Sequence, residues 1–228
     1  MKTLSFISSL IIISSCTVSL NGQKSLNGKT FTANQVVTAI IENTGSAAIP
    51  NSVDIIKEGD PETQVKGIVT CMFATMDVMK QAVAKNCNLI IVHEPLYYNH
   101  TDETKQFQND PVFSEKRHYI TDHKLVIWRF HDYIHSMKPD GILSGMVIKL
   151  GWKDYALNGH YDQYILPETT LKELLKSLKK IFPENAFYVV GNPEMKLSKV
   201  RLAPGAPGSA YNIKLYLKSP AWNFAPPG

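Results

Sequence analysis

Two short stretches place groups capable of chemistry at the ends of apolar runs: "NLIIVHEPLYYNH" (88–100) and "KLVIWRFHDYIH" (124–135). The first follows Leu89–Val92 with His93, Glu94 and Pro95. The second follows its run with His131, Asp132 and, one helical turn on, His135. Imidazole nitrogens together with carboxylate oxygens suit Zn, Mn, Fe or Ni rather than Ca or Mg. Adjacent residues at a strand end diverge, so His93 and Glu94 serve two ions more easily than one. His131 and His135 meet only if the chain turns helically after the strand, and Pro139 limits that turn to about one. The same groups would also serve as a hydrogen-bonded strand-end network without metal. No HExxH or CxxC pattern fixes the geometry, so spacing alone leaves both readings open.

The elements that must carry these residues read as strand–helix–strand units. "VKGIVTCMF" (65–73) is a strand. Thr75 caps a helix whose apolar face is Val78, Met79, Ala82 and Val83, and "NLIIV" (88–92) is the next strand. That sequence of elements implies parallel pairing with a right-handed crossover. The unit repeats in outline: Asp110 caps and Pro111 opens a helix over about 111–122, and "KLVIWRF" (124–130) is a strand. Both histidine-bearing ends therefore lie at the C-terminal edge of a parallel α/β sheet, the edge where such sheets bind ligands. Elsewhere, "TANQVVTAIIENTG" has helical spacing, and Thr170 with Glu173 forms a capping box before an amphipathic helix. "AFYVV" (186–190) and "KVRLA" (199–203) read as strands. A Gly/Pro loop at 204–209 precedes a short helix pattern, and the tail 219–228 has no periodicity.

The 228 residues carry a formal charge of +4, with basic residues scattered and no aromatic platform among them, so nucleic acid is not indicated as a partner. Residues 1–22 read as a secretory signal, too short to span a bilayer. "IISSC" resembles a bacterial lipobox, with Cys16 the lipid attachment site and cleavage near Gly22 the alternative. The expectation is an exported periplasmic or cell-surface lipoprotein, touching a membrane only through its anchor. Residues 23–34 are a linker, and Cys71 and Cys87 sit in apolar patterns as two buried thiols.

"VKGIVTCMFATMDVMKQAVAKNCNLIIVHEPLYY", followed by "LVIWRFHDYIH", resembles the Nif-three-like dinuclear metal-centre family, also labelled GTP cyclohydrolase I type-two-like. "KVRLAPGAPGS" is similar to that family's second strand-and-glycine-loop block. The resemblance covers about residues 35–218. It implies an α/β domain with a mostly parallel sheet, two divalent transition-metal ions, hydrolysis of a small-molecule substrate still unknown, and a hexameric homo-oligomer. A non-enzymatic metal-binding or assembly protein, or a fragment with a degenerate site, is the alternative. Family members read His-His-Pro where this chain has His93-Glu94-Pro95, and His-x-x-x-Asp where it has His131 to His135. His93 and His131 match, while Glu94 and His135 exchange donor types; the implied metal set is His93, Glu94, His131 and His135. The family closes its site with a C-terminal His/Glu cluster. The tail here holds no His, Asp or Glu, so the expectation is a C-terminally incomplete domain. His100, His118, His123, His160, Asp102 and Glu103 are further donors, each reading more readily as surface.

Overall fold

The computed structural model describes residues 30–205, 209–218 and 223–225. The signal segment, with Cys16 and the cleavage region near Gly22, lies outside the described residues. The chain forms two compact units that divide between Lys138 and Pro139.

The first unit runs α1 (Ala33–Asn43), β1 (Ile56–Glu58), β2 (Ile68–Cys71), α2 (Met76–Ala84), β3 (Leu89–Val92), α3 (Pro111–Asp122), β4 (Val126–Arg129) and α4 (Asp132–Ser136). Its sheet has the order β1-β4-β3-β2. β2, β3 and β4 are parallel, and β1 joins antiparallel to β4. This is the mostly parallel α/β sheet that the sequence implies. The helix starts follow from local chemistry. Thr75 accepts a hydrogen bond from the Val78 N–H at 3.2 Å, and Asp110 from that of Phe113 at 2.7 Å, with Pro111 at the first helical position.

β3 and β4 are buried along their whole length, as central strands covered on both faces must be. Val78, Met79 and Ala82 of α2 pack with Val69, Ile90 and Ile127 in one apolar cluster. β1, which the sequence reading did not assign, is three residues long and is followed at once by Gly59. There a φ of +95° and close approach to the Leu125–Val126 backbone both call for glycine. Cys71 and Cys87 are thiols outside any disulfide, the first half-buried and the second buried; burial pushes the Cys87 thiol pKa up.

The second unit contains α5 (Gly141–Leu150), β5 (Gln163–Thr170), α6 (Leu171–Ile181), β6 (Lys196–Leu202), α7 (Ser209–Lys218) and β7 (Asn223–Ala225). β6 is central in the order β5-β6-β7, antiparallel to β5 and parallel to β7. The capping box at Thr170 and Glu173 is present. Two expectations fail here. Residues 186–190 form no strand, and Tyr188 and Val190 are 96% and 97% exposed, so their β propensity has no packing surface behind it. Conversely, Asn223–Ala225, within the tail read as unstructured, pairs with Val200–Leu202. Three residues are too few to show a period, so that strand exists only through its partner's backbone.

Candidate metal centre

Parallel register brings the ends of β3 and β4 level: Val92 pairs with Arg129. His93 is therefore abreast of Phe130, and His131 lies one residue beyond. Strand alternation would send the two histidines to opposite faces. The chain avoids this by turning at once: His131 has φ −125° and ψ −58°, and α4 begins at Asp132. α4 is a single turn of five residues, and the His135 N–H reaches the His131 carbonyl at 3.3 Å. The turn thus brings together both histidines that the spacing required it to bring together. The imidazoles of His93, His131 and His135 converge, with ring centroids 4.7, 5.1 and 4.9 Å apart. One nitrogen from each lies within 4.8 Å of the others.

The support of each ring decides which nitrogen is available. His93 is 7% exposed. Its backbone N–H donates to the Cys71 carbonyl at 3.1 Å, and the next N–H, of Glu94, to Met72 at 2.8 Å, so the main chain stays fastened to the β2 side past the strand's end. His93 Nδ1 lies 3.1 Å from the Phe130 carbonyl oxygen. A carbonyl only accepts, so Nδ1 carries the proton and Nε2 presents a lone pair. Burial, followed by the neighbouring His131, holds the His93 pKa below its ordinary value, which keeps that lone pair free.

His131 is oriented by a carboxylate instead: its Nδ1 sits 2.9 Å from Asp132 Oδ1, which again leaves Nε2 open. The Asp132 carboxyl is held below the usual range. Burial pushes it up, but hydrogen bonds from His131, the Val53 N–H and Ser52 outweigh that. An imidazole steadied by a carboxylate or a carbonyl is the usual second support of a metal ligand.

The first turn of α4 is held by a residue that sequence reasoning missed. Asp54, 6% exposed, accepts from the backbone N–H groups of His131, Asp132 and Tyr133 at 2.7, 2.9 and 2.9 Å. In return Asp132 Oδ2 accepts from the Val53 N–H at 3.0 Å. The 52–54 loop and α4 therefore cap each other across nearly eighty residues of chain. No pattern near "NSVDII" announces such a partner.

Glu94 is half-buried and lies outside the convergent group. Among the further donors, His100 stands out: its ring meets His131 edge-on with centroids 5.2 Å apart. The buried Arg129 ties it in, donating through Nε to the His93 carbonyl at 3.1 Å and through Nη1 to the His100 carbonyl. Its Nη2 lies 3.3 Å from His100 Nδ1. The sequence signal for Arg129 was an arginine inside the apolar run "KLVIWRF". Asp102 does not join the triad; it pairs with Lys57 at 3.3 Å.

The donor set fits a divalent transition-metal ion. Three imidazoles, two with Nε2 lone pairs fixed by their Nδ1 bonds, match the three-protein-ligand pattern of open zinc sites. A tetrahedral ion with metal–nitrogen bonds near 2.0 Å asks for donors roughly 3.3 Å apart, reached from this spacing by small ring movements.

A family model described as Duf34/NIF3 (NGG1p interacting factor 3) matches residues 52–215. A Clostridium acetobutylicum protein named GTP cyclohydrolase 1 type 2 homolog is 26% identical over 65% of this chain and 58% of its own length. A Staphylococcus aureus protein of the same name is 24% identical over 60% of this chain and 36% of its own. This chain thus spans well under two thirds of either relative. Among solved structures, the Bacillus cereus protein related to NIF3 superposes with a TM-score of 0.67 at 12% identity, covering 88% of each chain. Staphylococcus aureus protein SA1388 gives 0.62 at 14% identity, over 82% of this chain and 76% of that one. At those identities the superpositions speak for the fold alone, while the family match covers most of the sequence, including both histidine-bearing strand ends. The chain belongs to the Duf34/NIF3 family.

Proposed function

We propose that His93, His131 and His135 hold a divalent transition-metal ion and that the protein is a metal-dependent hydrolase of a small-molecule substrate. The observation that carries this reading is the convergence of three imidazoles, two of them presenting Nε2 because a carbonyl and a carboxylate have taken Nδ1. When bound, such an ion supplies Lewis acidity, acidifying water and polarising a substrate oxygen. The chain's own residues do the rest. The main chain around His93 fixes one donor, Asp132 fixes the second, and Asp54 holds the turn that presents the second and third. Three neutral donors leave the ion's charge uncompensated, which favours an anionic ligand in the remaining position.

In this reading Glu94, beside His93, serves a second and weaker ion, so that the dinuclear centre has one tight and one loose site. The relatives' names point to ring opening of GTP. An exported lipoprotein anchored through Cys16 would rarely meet that nucleotide, and we place the substrate among extracytoplasmic phosphoesters or amides. Turnover of zinc- or manganese-loaded protein against phosphoester and amide panels tests the reading. Hydrolysis that is lost in His131→Ala supports it. Full metal loading with no turnover on any panel would leave a metal-binding protein without this activity.

A further inference from the structure

We propose that His100 is a fourth working histidine of this centre, one that donates a hydrogen bond from Nε2–H to a phosphoryl oxyanion bound at the triad instead of ligating the ion. The inference rests on the metal reading above but concerns a residue outside the triad. A guanidinium can only donate, so the contact between Arg129 Nη2 and His100 Nδ1 at 3.3 Å makes Nδ1 the acceptor and places the ring proton on Nε2. That is the opposite tautomer to His93 and His131, whose Nδ1 atoms face acceptors. One set of rings is arranged to give lone pairs, and the fourth is arranged to give a proton to a hydrogen bond.

The position of His100 is built. Arg129 is fully buried and grips the same residue twice, at its carbonyl and its ring, while its Nε holds the His93 carbonyl. The loop that carries His100 is fastened on its other side. The Tyr97 N–H donates to Asp102 Oδ1 at 2.8 Å, Asp102 pairs with Lys57 of β1, and the Tyr97 hydroxyl donates to Glu58 at 2.8 Å. Asp102 accepts a φ of +56° in doing so. His100 itself is exposed, edge-on to His131 at 5.2 Å, so a ligand arriving from solvent meets it at the rim of the triad.

The charges select an anion. Among the described residues Arg129 forms no ion pair, and a buried cation without a counter-ion favours a negative ligand nearby. The carboxylates of Asp54 and Asp132 are already engaged by backbone N–H groups and by His131. Glu94, half-buried next to His93, adds a negative charge that a guanidinium and a bound dication would outweigh. A tetrahedral phosphoryl group offers one oxygen to the ion and another to His100 Nε2–H.

Two measurements on the whole chain decide this. Long-range 1H–15N imidazole correlation spectra of the metal-free protein should show His100 protonated on Nε2 and His93 and His131 on Nδ1; a His100 proton on Nδ1 overturns the proposal. Inorganic phosphate is then titrated into zinc-loaded wild type, His100→Ala and His100→Gln. Zinc stoichiometry should be the same in all three. His100→Ala should weaken phosphate binding by roughly tenfold to a hundredfold, and His100→Gln, whose amide can replace the Nε2–H donor, should recover part of it. Zinc loss in His100→Ala would make the residue a ligand, and unchanged phosphate affinity would remove its role; either overturns the proposal. Wild type that takes up no zinc defeats the proposed function instead. The phosphate titration is then run on metal-free protein, where failure of His100→Ala to weaken binding again overturns the inference.

Discussion

The ends of β3 and β4 bring histidines to the same cluster with different supports. At β3 the histidine is buried, and its N–H and ring are both held by main chain: the Cys71 carbonyl takes the N–H and the Phe130 carbonyl takes the ring, while the Arg129 side chain touches only its carbonyl. At β4 the histidine is half-buried and its supports are two carboxylates: Asp54 holds the backbone of the turn and Asp132 holds the ring. A main-chain support cannot be removed by substitution without breaking the sheet, whereas a carboxylate can. The β3 end is therefore the fixed half of the centre and the β4 end the adjustable half.

The largest break in that comparison comes from Asp54→Ala. Three part-buried N–H groups at the start of α4 lose their acceptor, so the fold should lose about 2–4 kcal/mol, and zinc uptake should fall with it as His131 and His135 disperse. Urea unfolding with parallel elemental analysis measures both. Zinc uptake at the wild-type level would show that the turn does not depend on its cap. His93→Ala comes next: the tight site should disappear, and removal of a packed ring should cost about 1–3 kcal/mol. Retention of stoichiometric zinc would place the centre elsewhere.

Asp132→Asn sharpens the contrast. The ring of His131 keeps its place but loses its anionic partner, so zinc affinity should fall by roughly tenfold to a hundredfold with little change in the unfolding midpoint. Competition with a chromophoric chelator reads the affinity, and an unchanged value would mean that His131 needs no such orientation. The smallest effect belongs to Glu94→Gln. It should leave the first zinc equivalent within about 0.5 kcal/mol of wild type and remove only the second, weaker one. Weakening of the first would bring Glu94 into the tight set.

Much of the β3 half was legible in the sequence, because its determinants are local. The apolar run of Leu89–Val92, the cap at Thr75 and the helix pattern between the strands specify a crossover unit whose edge carries His93. The pairing of His131 with His135 was legible too, since Pro139 and the i, i+4 spacing allow one turn and α4 is one turn. The supports were not. Asp54 acts on residues 77 to 79 positions away, and Arg129 on one 29 positions away, separations over which a single sequence carries no period or cap. The same reason hid β1 and β7, short strands that exist through a partner's open edge, and misplaced 186–190, whose β-forming residues pair with no strand. The offset of one residue between the two histidines was also invisible, because register belongs to the pair of strands.

The central claim is that His93, His131 and His135 together hold one ion. X-ray absorption at the zinc edge, on protein loaded with a single equivalent, tests it most directly. A three-histidine site gives about three imidazole nitrogens near 2.0 Å with outer-shell imidazole scattering and one further light atom, reduced by one imidazole in His135→Ala. A shell of oxygens without imidazole scattering, or a spectrum unchanged by His135→Ala, would contradict it.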